Sequence, residues 1–240
     1  MKTGVYSALY VVISNIAIWL CFIPFLFLGW KKMRQVGAYC IIGFYWLLNG
    51  LVNLPDLNIF SSSTAHYWQE MLVYGYNLAE TPLILLAFAF AIAGKSRRQL
   101  LLVTAVFIAW EAFLIGWKGY DNSTRMLITG SGLLLILACC ITGLLQYVKK
   151  MEHTRFENSM VFIYAALLFD YGSFLIIYIF AHIHSTANAN GMDSFLLYHI
   201  SLLISAAVTA MGLWSYGIRK THRRPMAPLR PNSRYSSSSS

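Results

Sequence analysis

Seven runs of mostly apolar residues, each long enough to cross a bilayer as a helix, leave this chain few possible folds. A hydrocarbon core about 30 Å thick takes about 20 helical residues, because in lipid every backbone N–H and C=O must be satisfied within the segment. The runs cover about 5–30, 37–55, 67–93, 99–117, 125–148, 156–182 and 194–218. The expected fold is therefore all-α: one polytopic integral membrane domain over 1–218 with seven transmembrane helices. Only Lys2 precedes the first run, which is longer than the roughly 7–15 residues of a signal-peptide core, so it is expected to stay as a span. Apolar residues make up 58% of the chain and charged residues 11%, too few charges to cover a soluble surface, where about 25% is usual. That balance excludes a disordered chain, a disulfide-stapled secreted module and a nucleic-acid-binding domain. Cys21, Cys40, Cys139 and Cys140 all sit inside apolar runs without C-x-x-C spacing, as small packing residues do.

The basic residues give the runs a direction. Lys31, Lys32 and Arg34 follow the first run, Lys95, Arg97 and Arg98 the third, and Lys149, Lys150 and Arg155 the fifth. Arg219, Lys220, Arg223, Arg224, Arg230 and Arg234 follow the seventh, leaving Lys2, Lys118 and Arg125 for the other side. Positive charge is retained in the cytoplasm, so the N-terminus is expected outside and the C-terminus inside. The net charge of +9 is then a topology signal rather than a nucleic-acid footprint. The segment 219–240 is basic, then Pro- and Ser-rich, and is expected to be a disordered cytoplasmic tail whose first charges meet anionic headgroups. Asn122-Ser123-Thr124 fits the glycosylation pattern on the outer side, in a loop short for such use. The membrane itself is expected to be a plasma or a bacterial inner membrane.

Two stretches hint at duplication. Cys21-Phe22-Ile23, Leu26 and Lys31-Lys32-Met33 align without gaps with Cys139-Cys140-Ile141, Leu144 and Lys149-Lys150-Met151. Two parallel three-helix halves joined by a fourth helix would produce that match, and so would any two apolar helices ending in positive charge.

Ionisable groups inside spans cost about 2.5–3.5 kcal/mol on insertion scales and generally face a bundle interior or a wet cavity. Glu80 falls near the middle of span three, Asp170 near the middle of span six, Glu111 toward the outer end of span four and His199 in the outer part of span seven. No Lys or Arg lies deep in any span to pair with the acids. At 100° per residue, Glu70, Tyr74, Asn77 and Thr81 share a narrow stripe, with Glu80 about 80° from Glu70. Pro82 is expected to kink the helix beside Glu80 by depriving the Leu78 carbonyl of its donor. Trp46, Asn49, Gly50 and Asn53 share one side of span two. Tyr164, Tyr171 and Tyr178 repeat along span six, and Tyr198, Ser201, Ser205, Thr209 and Gly212 line span seven. Each stripe alone could serve helix packing. Together they suggest a polar, aromatic-lined cavity open to the outside.

Catalytic and metal-binding patterns are missing. There is no H-E-x-x-H, G-x-S-x-G or phosphate-cradling glycine loop. His66, His182, His184 and His199 lie toward one side without a pair four apart on one helix face. Neither a metal, a cofactor nor an enzymatic activity is expected.

Glu80-Thr81-Pro82-Leu83-Ile84-Leu85-Leu86 resembles the Thr-Pro-Leu-Leu-Leu core of the third helix of microbial rhodopsins, and seven helices with an outside N-terminus also fit that family. The resemblance implies a scaffold without that family's photochemistry. Span seven holds no lysine for a retinal Schiff base, Tyr76 stands at the counter-ion position and Ala87 at that of the proton-donor carboxylate.

The leading expectation is a receptor- or sensor-like protein holding a small ligand in an outward-facing pocket lined by Glu80, Asn77, Tyr74, Asn53, Asp170 and His199. A small-solute transporter built from two three-helix repeats is the alternative, and a structural subunit of a membrane complex a third. The expected partners are the lipid bilayer, a small molecule, and another copy of the chain or a membrane partner subunit.

Overall fold

The computed structural model describes residues 2–30, 33, 36–54, 63–183 and 191–217, with side chains over 10–30, 33, 36–54, 69–179 and 194–216. The basic residues Lys31, Lys32 and Arg34, the loop 55–62, the side chains of His66 and His182, His184 and the tail 219–240 lie outside them. Seven helices follow one another: α1 (Lys2–Trp30), α2 (Gly37–Asn53), α3 (Ser63–Ala91), α4 (Lys95–Lys118), α5 (Asn122–Lys149), α6 (Arg155–Ile183) and α7 (Gly191–Gly217). Among the described residues there is no strand. All but α2 are long and apolar enough to cross a membrane. With 17 residues, α2 is about 26 Å long, shorter than a bilayer core. α3 runs unbroken through Pro82, as α1 does through Pro24.

Local chemistry sets the helix ends. α4 starts after Gly94 and stops at Gly119, whose φ angles of 76° and 80° lie where a side chain is disfavoured. The Gly119 N–H closes the last turn on Ile115 O at 2.9 Å. α6 opens with a reciprocal cap: Thr154 N–H donates to Glu157 Oε2 at 2.7 Å and Glu157 N–H to Thr154 Oγ1 at 3.2 Å. Lys150 pairs with Glu157 across the same turn.

Asp121 caps α5 by accepting the Thr124 N–H at 2.7 Å. That bond holds the Asp121 carboxyl below the ordinary carboxylate range. A folded value below the unfolded one means the cap stabilises above the ordinary range and is lost as pH falls through the lowered value. Asp121→Asn keeps a capping acceptor but cannot titrate. It is expected to flatten the acid-side decline of melting temperature, and an unchanged decline would remove Asp121 from it.

Six helices form a ring. α1, α2 and α3 pack in sequence, as do α5, α6 and α7, and the ring closes where α1 meets α7 and α3 meets α5. α4 lies outside it, against α3 and more lightly against α5, and few of its side chains are buried. The ring's interior takes one face of α2, whose Tyr39, Tyr45 and Trp46 are fully enclosed while Phe44 faces outward. Large apolar side chains face outward all round, among them Trp19 (60% exposed), Leu102 (67%), Leu134 (60%) and Met211 (60%). Apolar surface on this scale belongs in lipid and would be an aggregation liability in water. The architecture is that of a helical membrane protein.

α6 and α7 pack extensively and in a regular register. Ser159 Oγ donates to Gly212 O at 2.7 Å, Ser205 Oγ to Ala166 O at 3.0 Å, and Ser201 Oγ reaches Asp170 Oδ1 at 3.3 Å. Steps of seven and four residues up α6 are answered by steps of seven and four down α7, so small polar residues on matching faces hold one antiparallel register. The top rung of that ladder is an acid.

Candidate functional site

The ladder ends in a cavity of about 360 Å³ between α2, α3, α5, α6 and α7. It lies at the end of the ring where α2 and α6 finish and α3 and α7 begin, opposite the basic α3–α4 and α5–α6 turns. Asn49 and Val52 of α2, Tyr76, Asn77, Glu80 and Thr81 of α3, and Thr129 and Leu133 of α5 form one side. Asp170, Tyr171, Phe174 and Ile177 of α6 and Ser194, Phe195 and Tyr198 of α7 form the other. Among the described residues no lining side chain is basic.

A hydrogen-bond chain runs through this wall. Asn53 Nδ2 donates to Asn49 Oδ1 at 2.8 Å, and Asn49 Nδ2 donates to the Tyr76 hydroxyl at 3.0 Å. Tyr76 donates to Glu80 Oε1 at 3.1 Å, and Tyr171 donates to the same oxygen at 2.6 Å from across the ring. The Tyr45 hydroxyl lies 3.3 Å from that of Tyr171. A phenol has one proton, and the shorter bond commits that of Tyr171 to Glu80, so Tyr45 is the donor here. The protons of three tyrosines thus point along two branches toward one carboxyl. Tyr198 closes the rim, its hydroxyl 3.5 Å from Asn53 Oδ1.

Asp170 is more isolated. It is 8% exposed, and its protein donor is the Ser201 hydroxyl at 3.3 Å. That hydroxyl also lies 2.9 Å from the Tyr198 carbonyl, so two acceptors compete for one proton. Among the described residues no cation faces either acid, and the ion pair is Lys150–Glu157, at the far end of the bundle.

Of the residues singled out from sequence, Glu80, Asn77 and Asp170 line the cavity, and Asn53 stands behind its rim. Tyr74 does not line it: it is 42% exposed and packs edge-on against Tyr120, ring centroids 5.2 Å apart. His199 is fully buried on another face of α7, edge-on to Tyr10 of α1 at 5.6 Å, with Nδ1–H donating to Phe195 O at 2.8 Å. Glu111 is buried in α4, away from the ring's interior. Tyr171 belongs to the tyrosine repeat of span six, whereas Tyr45 and Tyr76 are participants that the stripes do not single out. The signal for Tyr76 is its spacing, since position i−4 from Glu80 shares its helix face. A buried tyrosine hydroxyl also demands a partner. Among the described residues no three His, Cys, Asp or Glu side chains cluster closely enough to hold a metal ion.

No family model, curated protein or solved structure matches this chain. Its functional reading rests on the site.

Proposed function

We infer that this chain is a seven-span membrane protein, N-terminus outside and C-terminus inside, that binds a small ligand in the cavity beside Glu80 and Asp170, as a receptor or sensor does. The observation that carries the reading is the cavity itself. About 360 Å³ falls within the roughly 300–1,000 Å³ of small-molecule sites, and the site combines apolar walls with a few convergent polar groups. Two acids in a membrane interior that face no counter-charge among the described residues are costly unless they serve a ligand, a proton or a solute path.

The seventh span rests on chain direction. A Cβ on Gly43 would collide with Leu28, and one on Gly50 would lie 3.0 Å from Phe22, so α2 runs antiparallel to α1. The Asn49–Tyr76 bond sets the end of α2 beside the first half of α3. α2 therefore carries the chain from one end of the bundle to the other, and its burial between α1 and α3 compensates for its short length. With the basic turns in the cytoplasm, the cavity faces outside.

Native mass spectrometry of gently extracted protein tests the reading. A discrete small molecule is expected to co-purify and to be lost in Glu80→Gln. A chain carrying only bulk lipid, with no compound able to shift its melting, would count against a ligand site.

One observation favours the transporter alternative. α1–α2–α3 and α5–α6–α7 pack in the same order, and the two ring closures, α7 on α1 and α3 on α5, are equivalent under a two-fold relation between halves. Net flux into proteoliposomes separates a carrier from a receptor.

A further inference from the structure

Building on the reading of this cavity as a ligand site, we propose that its ligand is a small organic cation, an amine or quaternary ammonium carried on an apolar body, bound by Asp170 and Glu80 within aromatic walls.

The charge balance of the wall carries the argument. Both ionisable acids of the site line the cavity and, among the described residues, no basic side chain does. Asp170 is more than nine-tenths buried, yet among the described residues its donor is a hydroxyl it shares with a backbone carbonyl. A buried carboxyl in that position lacks the pairing that buried charge ordinarily has. Several protons nearby are already engaged: Tyr76 and Tyr171 donate to Glu80 and Tyr45 to Tyr171, while Tyr198 accepts from Asn53 Nδ2 at 3.3 Å. The carboxyl oxygens turned to a guest are acceptors, while the Asn77 amide and the Thr81, Thr129 and Ser194 hydroxyls can donate as well. An anion would meet two acids. A neutral acceptor could bond to Asn77 and those hydroxyls but would leave Asp170 without a counter-charge.

A cation meets both carboxyls and a ring-rich enclosure. Tyr76, Tyr171, Phe174, Phe195 and Tyr198 all contribute to the lining. Aromatic faces within about 6 Å attract ammonium groups, most strongly where water is excluded, and quaternary ammonium recognition uses this enclosure. The apolar share of the wall, Val52, Leu133 and Ile177 among it, gives an organic body something to bury, which a bare metal ion does not need. Among the described residues the acids also lack the third ligating partner a metal site would supply.

The test uses the full chain in lipid nanodiscs and pairs of probes that differ only in charge. Choline and its neutral isostere 3,3-dimethylbutan-1-ol form one pair, and a size series from tetramethylammonium to benzyltrimethylammonium accompanies them. Binding is read by intrinsic fluorescence and by melting temperature. At least one ammonium probe is expected to bind saturably, choline at least tenfold more tightly than its isostere, with the preference lost in Asp170→Asn. Equal binding of the neutral isostere would overturn the proposal, as would a preference that survives in both Asp170→Asn and Glu80→Gln. Stabilisation reproduced by sodium ions alone would overturn it in favour of an inorganic cation. The charge pairs need no mutation, so a poorly folding variant does not disable the test. Neutral or anionic compounds that bind and are displaced by filling the cavity in Thr129→Phe would sink the cation and leave the ligand site standing. Absence of binding by every probe, with no co-purifying molecule, would sink both.

Discussion

Gly212→Leu is expected to lower the stability of the detergent-solubilised bundle by about 3–5 kcal/mol, enough to prevent folding of a marginal membrane protein. A Cβ at this position would lie 2.8 Å from Phe162 Cβ and 2.9 Å from the Ser159 carbonyl. Neither obstacle is the tip of a flexible side chain. α6 and α7 would have to separate, and the first group lost would be the Ser159–Gly212 hydrogen bond. Overpacking a tight contact typically costs about 1–3 kcal/mol, occasionally more. Each broken interhelical bond adds about 0.6 kcal/mol. The two further rungs, at Ala166–Ser205 and Asp170–Ser201, share the register, so a shift at Gly212 also reaches the cavity. Gly116→Leu is the control, because a Cβ there meets nothing within 4 Å. Unfolding of the two variants at the same temperature, followed by tryptophan fluorescence, would show that Gly212 is not a packing point.

That interface is the part of the structure most legible in the sequence. Ser201, Ser205, Thr209 and Gly212 recur on one face of span seven, and small polar residues at helical spacing mark close contact. Long apolar runs likewise locate the helices to within a few residues, because lipid enforces one backbone solution. Hydropathy cannot say which helix sits where in the ring. It treats α4 as equivalent to the rest, although α4 lies outside, and marks α2 as a span of 37–55 where the helix stops at Asn53.

The site is legible only in part. Both central acids stand out in sequence as intramembrane charges, but a stripe built from polar residues alone turns α3 toward Glu70 and Tyr74, which are exposed. The face turned inward is the one with Tyr76, Asn77, Glu80 and Thr81. Asn77 and Thr81 belong to both faces, and the difference is Tyr76 in place of Tyr74, because a tyrosine's role is fixed only when its hydroxyl is given a partner. His199 shows the same limit. It follows Tyr198 directly, and the 100° step between them sends one side chain to the cavity and the other to α1.

Glu80→Ala is expected to cost about 2–4 kcal/mol and Glu80→Gln less than about 1 kcal/mol, and the difference separates structure from chemistry at this acid. Glu80 Oε1 receives Tyr171 at 2.6 Å and Tyr76 at 3.1 Å. Removing it leaves two buried phenols without an acceptor, and an unsatisfied buried polar group costs about 1–3 kcal/mol. Tyr45 and Asn49 then donate into hydroxyls that have lost their own anchor, so the penalty spreads along both branches. Glutamine keeps a carbonyl oxygen in the same place and can accept both phenols, at the price of the carboxyl's charge. A melting curve in which Gln behaves like wild type while Ala is destabilised assigns the network to the acceptor oxygen. Any ligand or flux lost in Gln is then a consequence of charge, because the scaffold that presents it is intact. Equal destabilisation of Gln and Ala would instead mean that the carboxyl group itself holds α3 to α6, and Glu80 would be interhelical glue.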